Sequence, residues 1–161
     1  MSDFAEQDVL SGFPARPLGK SAKELRRRAE TIGGADGLDR VGVWTDLVDP
    51  LLAAETGDLP GLIMFLDPEA WRALLPAWMA ACLRSNVEDR TLNLLGSVLA
   101  TLNPAFSKEP ELFQSRTDSL TPSERAVASD FVRWATQQPI LAADPQADAE
   151  ISRLQAAWPS S

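Results

Sequence analysis

The chain has 161 residues, of which 45% are hydrophobic and 24% charged, and its formal net charge is −8. That length and balance suit a globular domain able to bury its own core without covalent staples. The acidity argues against a nucleic-acid surface. With no histidine and one cysteine, zinc sites of Cys/His type, an intramolecular disulfide and the commonest general base are excluded.

The N-terminus, M-S-D-F-A-E-Q-D, is acidic and lacks the apolar stretch of a signal peptide. No apolar run approaches the length that crosses a bilayer. A cytoplasmic protein with no membrane contact, no nucleic-acid partner and no cofactor is expected.

Residues 1–13 read as a short helix with Phe4, Val9, Leu10 and Phe13 on its apolar side. Pro14 and Pro17 end it and leave residues 1–20 partly irregular. Ser21 with Glu24 reads as a capping box that opens a helix to about Ile32, with Gly33 and Gly34 as its stop. This helix carries the basic cluster Lys23, Arg26, Arg27 and Arg28. Glu24–Arg28 and Arg26–Glu30 are opposite charges four residues apart, so a solvated face is expected. A docking patch for an acidic partner is the alternative.

After a loop at Gly33–Gly37, an amphipathic segment holds Val41, Val43, Trp44, Leu47, Val48, Leu51 and Leu52, and Asp49-Pro50 opens a short helix within it. From Asp36 to Asp67 seven acidic residues face the single Arg40. Asp36, Asp39, Asp46, Asp49, Glu55 and Asp58 form the candidate partner-binding surface. The alternative is a set of helix starts and loops facing water. Their spacing matches no calcium loop. Thr56–Pro60 reads as a turn. The run Leu62–Leu66 is a helical turn or an extended buried segment, because no convincing second strand exists to pair with it.

Asp67–Arg84 reads as the central helix. Asp67 caps it, Pro68 fits its first position and Glu69 complements the positive end of its dipole. Trp71, Leu74, Leu75, Trp78, Cys82 and Leu83 recur at helical spacing. Pro76 removes one hydrogen bond and typically costs about 3 kcal/mol inside a helix, which predicts a kink or break near Arg72–Leu75. The freed Arg72 carbonyl then serves packing alone, or a ligand or partner.

A further helix from about Glu88 to Leu102 presents Leu92, Leu95, Leu99 and Leu102, and Asn103-Pro104 stops it. Residues 103–120 read as a long connection with a turn at Glu111–Gln114. Thr121-Pro122-Ser123-Glu124 combines a threonine cap, proline at the first position and glutamate at the third. It opens a helix to about Gln137 that buries Val127, Phe131 and Trp134, with Pro139 as its end. A last helix, Asp144–Trp158, buries Ile151, Leu154 and Trp158. The sum is an all-α single compact domain, residues 1–161, of six to seven helices around a central proline-kinked helix.

The block F-L-D-P-E-A-W-R-A-L-L-P-A-W-M-A-A-C-L, Phe65–Leu83, resembles the core block of an uncharacterised bacterial domain-of-unknown-function family, in which Pro-Glu-Ala-aromatic-Arg precedes Leu-Pro-Ala-aromatic. L-T-P-S-E-R-A-V-A-S-D-F-V-R-W, Leu120–Trp134, is similar to that family's second block, and Phe13-Pro14 and Trp44 are weaker matches. Ala73 and Leu74 stand where the pattern prefers aromatics, so no tyrosine-dependent role carries over. The resemblance implies a bacterial, cytoplasmic, helical domain and brings no activity with it.

Chemistry is thinly represented. No serine sits in a nucleophile elbow, and Gly33-Gly34-Ala35-Asp36-Gly37 lacks the phosphate-loop pattern. Asp67 and Glu69 are the only carboxylate pair beside an apolar block, and helix-start chemistry explains both. The expectation is a non-catalytic protein-binding module with a basic protein as partner, in the manner of an immunity or antitoxin-like protein that neutralises a bacterial toxin. A regulatory or scaffold subunit and, behind it, a carboxylate-dependent enzyme are the alternatives. The five tryptophans are expected in the core, with one or two exposed as binding anchors. The sequence leaves the oligomeric state open.

Overall fold

Helix starts in this chain are written by proline and by short polar caps. The computed structural model describes residues 4–31, 38–53, 59–85, 92–104, 110–142 and 145–159. Among them are nine α-helices: α1 (Glu6–Gly12), α2 (Lys20–Thr31), α3 (Val48–Ala53), α4 (Pro68–Ser85), α5 (Leu92–Leu102), α6 (Pro110–Asp118), α7 (Pro122–Thr136), α8 (Pro139–Ala142) and α9 (Asp148–Ala157). Short 3-10 segments cover Leu38–Arg40, Trp44–Leu47, Leu59–Phe65 and Pro145–Ala147. No strand occurs among the described residues. The fold is all-α, as expected, with more helices than the six to seven anticipated.

The excess has local causes. Residues 110–118, expected as part of a connection with a turn, form α6 instead. Proline stands first in α4, α6, α7 and α8, where its missing N–H removes a donor that would be orphaned anyway. Pro139 therefore both ends α7 and opens α8.

Helix α4 is the centre. It packs against α1, α2, α3, α5 and α6 and against the 3-10 segments at 44–47 and 59–65. Asp67 Oδ1 accepts the Ala70 N–H at 2.8 Å, which confirms the cap. From Leu74 to Cys82 every residue is buried, as the near-absence of charge in that stretch requires. Of the kink or break expected near Arg72–Leu75, no break occurs: the helix runs without interruption through Pro76. Packing of the buried stretch Leu74–Cys82 against the neighbouring elements holds the helix across the missing hydrogen bond.

Four buried tryptophans tie the core together, and each indole N–H finds an acceptor remote in sequence. Trp44 donates to the Phe13 carbonyl at 2.8 Å, Trp71 to Thr101 Oγ1 at 3.0 Å, Trp78 to the Pro60 carbonyl at 2.8 Å and Trp158 to the Leu102 carbonyl at 2.7 Å. A buried donor without a partner is costly, so these bonds fix which segments meet. Trp134 is half-buried and packs beside Phe131, with ring centroids 5.7 Å apart. No described tryptophan is an exposed anchor, contrary to the expectation.

Three further expectations change. Helix α2 begins at Lys20, not after a Ser21 cap. The chain reverses at Gly19, whose φ of 54° favours glycine, and Ser21 lies buried in the first turn with its N–H on the Leu18 carbonyl at 3.0 Å. Within α2, Glu24 pairs with Arg27 at 3.6 Å, and its other oxygen accepts the Asp67 N–H. Neither Glu24–Arg28 nor Arg26–Glu30 pairs. In α9 Leu154 is buried, while Ile151 is only half-buried.

The capping box at Thr121 forms as expected. Glu124 N–H donates to Thr121 Oγ1 at 3.2 Å, and Glu124 Oε1 accepts the Thr121 N–H at 2.8 Å. Close approach also matters at Gly12. A Cβ there would overlap Val127 Cγ2, so glycine lets α1 lie directly on α7.

Candidate functional site

The 3-10 segment Leu59–Phe65 has seven residues, longer than such helices usually run. Its length depends on outside partners for its carbonyls. The Trp78 indole takes the Pro60 carbonyl. At the other end, Arg116 of α6 is 5% exposed and reaches across with Nη2 to the carbonyls of Met64, at 3.0 Å, and Leu66. A cation at the carbonyl end of a helical turn is electrostatically favourable.

Leu59, Pro60, Leu62, Ile63 and Leu66 face the core. Between the two carbonyls that Arg116 holds, the chain turns Met64 and Phe65 outward, 41% and 60% exposed. Of the two forms expected for the Leu62–Leu66 run, a helical turn and an extended buried segment, the structure has the first. Two of its five side chains meet water. An aromatic ring that is mostly exposed, on backbone clamped from below, is a rigid apolar projection. The sequence did contain a signal for it. Five consecutive apolar residues cannot all share one face of a helical segment, so some must point out.

The acidic candidates are placed unevenly. Asp36, Glu55 and Asp58 lie outside the described residues. Asp39 is exposed in the short segment Leu38–Arg40. Asp46 uses one oxygen to accept the N–H groups of Gly42 and Val43, at 3.0 and 3.1 Å, which caps the turn beginning at Trp44. Asp49 accepts Arg84 Nη1 at 2.9 Å, and the same guanidinium pairs with Glu6 at 3.0 Å. The Glu6 hydrogen bond, above all, holds Arg84 charged, raising its pKa above its ordinary value. Asp46 and Asp49 thus serve local structure whatever else they do, while Asp39 is committed to no described side chain.

Near Pro76 a cleft of about 220 Å³ lies between the non-helical segment Phe13–Leu18, the start of α2 and the part-exposed first half of α4. Among the described residues no group of three or more Cys, Asp or Glu is placed to hold a metal ion, and no helix is long and apolar enough to cross a membrane. Cys82 is buried, and burial pushes its thiol far above its ordinary pKa, which makes it a poor nucleophile. No family model, curated protein or solved structure matches this chain.

Proposed function

We propose that this chain is a non-catalytic protein-binding module that docks on a basic protein through the Met64–Phe65 projection, in the manner of an immunity or antitoxin-like protein in a bacterial cell. The observation that carries the reading is the exposure of Phe65, at 60%, on a turn whose flanking carbonyls are held by the buried Arg116. Aromatic and methionine side chains are enriched at interfaces, and a rigid one loses little entropy on docking. The net charge of −8 supplies the long-range complement to a basic partner and speeds encounter. The bacterial setting comes from the resemblance of the Phe65–Leu83 block.

The test is affinity capture from the cells that make the protein, at moderate salt, with wild type and Phe65→Glu in parallel. Phe65 is largely in water, so the variant should unfold at the same temperature as wild type. The reading expects one stoichiometric basic partner that binds wild type and is lost with Phe65→Glu. Phe65→Ala should weaken the purified complex by roughly thirtyfold, the scale of a hot-spot side chain. Asp39→Lys should slow association and reduce its dependence on salt. It probes steering more cleanly than changes at Asp46 or Asp49, which would disturb a cap or an ion pair. The reading fails if wild type retains no stoichiometric partner, or if Phe65→Glu retains it unchanged.

A further inference from the structure

The cleft beside Pro76 lies apart from the Met64–Phe65 turn and has chemistry of its own. Pro76 has no N–H, so the Arg72 carbonyl one turn earlier lacks its helical donor, and both residues line the cleft. The Arg72 guanidinium is fixed on Glu124, Nε to Oε1 at 2.8 Å and Nη2 to Oε2 at 3.3 Å, which leaves Nη1 outside the pair. Two further charges stand on different walls. Arg16 belongs to the non-helical segment Phe13–Leu18 and Glu69 to the first turn of α4. Both are exposed, and among the described residues neither side chain makes a hydrogen bond or ion pair, with the other or with any third group. Trp44 forms part of the apolar wall and is held rigid by its indole bond to the Phe13 carbonyl.

A cleft with one uncommitted cation, one uncommitted anion, a spare guanidinium N–H and a carbonyl without its donor complements a ligand that carries both charges. A simple anion would meet Glu69 unpaired, and a simple cation would meet Arg16. A volume of about 220 Å³ is below that of drug-sized pockets and suits a molecule of amino-acid size. The geometry points to a binding site for a small zwitterion of the amino-acid type. Its carboxylate lies on Arg16 and the free edge of Arg72. Its ammonium faces Glu69 and the Arg72 carbonyl, and its side chain lies against Trp44. The Arg72–Glu124 pair acts as a positioning element, orienting the guanidinium before ligand arrives.

The experiment is a titration of the full chain followed through the Trp44 indole N–H resonance, identified by its loss in Trp44→Phe. The probes are glycine, L-leucine and L-phenylalanine, which span the sizes the cleft admits. 4-Methylpentanoate and 3-methylbutylamine each keep one charge of leucine. The expected result is a saturable shift at millimolar concentration with at least one amino acid, and none or a far weaker one with either single-charge analogue. Arg16→Gln and Glu69→Gln should each weaken binding about tenfold, the scale of one charge-assisted hydrogen bond, with unchanged melting temperature. The inference is overturned if none of the three amino acids gives a saturable shift, if a single-charge analogue binds as tightly as the amino acid, or if both variants bind like wild type.

Discussion

Replacing Glu124 by alanine should destabilise the fold by about 2–4 kcal/mol, because one carboxylate both starts α7 and ties it to α4. The first part is local. Glu124 Oε1 accepts the Thr121 N–H at 2.8 Å, and losing a capping interaction typically costs about 1 kcal/mol. The second part is the pair with Arg72. The Glu124 side chain is 9% exposed and that of Arg72 is 37% exposed. The pair therefore lies between exposed pairs, worth about 0.2–1 kcal/mol, and buried ones, whose breaking costs about 3–5 kcal/mol. Solvent screening at the arginine end places it at about 1–3 kcal/mol. Glu124→Gln keeps an acceptor for Thr121 and removes the charge, so it should cost about half as much. The assay is urea unfolding of Glu124→Gln, Arg72→Met and the double variant, compared at unchanged m-value. A coupling energy of about 1–2 kcal/mol is expected. The reasoning is refuted if Glu124→Ala shifts stability by less than about 0.5 kcal/mol, or if the single effects add within the usual scatter of about 0.3–0.5 kcal/mol for independent sites.

Gly12→Ala should destabilise by about 1–3 kcal/mol, since its Cβ overlaps Val127 Cγ2, and Val127→Ala in the same chain should recover part of that loss in a thermal melt. Trp78→Phe should cost about 2–4 kcal/mol, because it leaves a cavity and strips the Pro60 carbonyl of its donor; amide exchange across 59–65 should quicken with it. Cys82 gives a pH signature. Its folded pKa lies well above the ordinary 9.0, so the unfolded chain ionises first. Above about pH 9 the native state binds the extra proton, and stability should fall with rising pH by up to about 1.4 kcal/mol per unit. Cys82→Ala should remove that slope from the urea midpoints, and a thiol reagent should modify wild type only as it unfolds.

What could be read from the residues divides by the range of the forces involved. The starts of α4 and α7 were legible because a cap and the backbone N–H it accepts lie within three residues of each other, at Asp67–Ala70 and Thr121–Glu124. The central position of α4 was legible because a helix with almost no charge must be buried. Helix α6 was not, since P-E-L-F-Q-S-R-T-D has no apolar stripe. What fastens it is Arg116, which bonds the Leu66 carbonyl 50 residues away. Its start did carry the Pro-Glu signal that opens α4, and weighting that signal above periodicity would have found it. The Ser21 cap failed for a reason of geometry. Only the chain's reversal at Gly19 shows that the helix begins two residues early, at Lys20.

The site divides the same way. Acidic residues are visible in any sequence, but whether a carboxylate is available depends on what lies within hydrogen-bond reach. Asp46 and Asp49, which looked equivalent to Asp39, are taken up by a turn and by Arg84. Conversely, the apolar run Leu62–Leu66 could be read as a helical turn or as an extended buried segment, because hydrophobicity does not encode direction. The outward turn of Phe65 follows from two carbonyls held by a cation in another helix. That arrangement explains why the most exposed large apolar side chain described here adjoins the most unusual backbone element. A 3-10 segment of this length needs tertiary support at its end, and the exposed ring stands on the backbone that receives it. Arg116 is therefore the residue on which stability and binding should separate. Arg116→Met should release the Met64 and Leu66 carbonyls, raise amide exchange at 64–66 and weaken partner binding even where Phe65 itself is untouched. Binding at the wild-type level in that variant would mean that the ring needs no preorganised backbone.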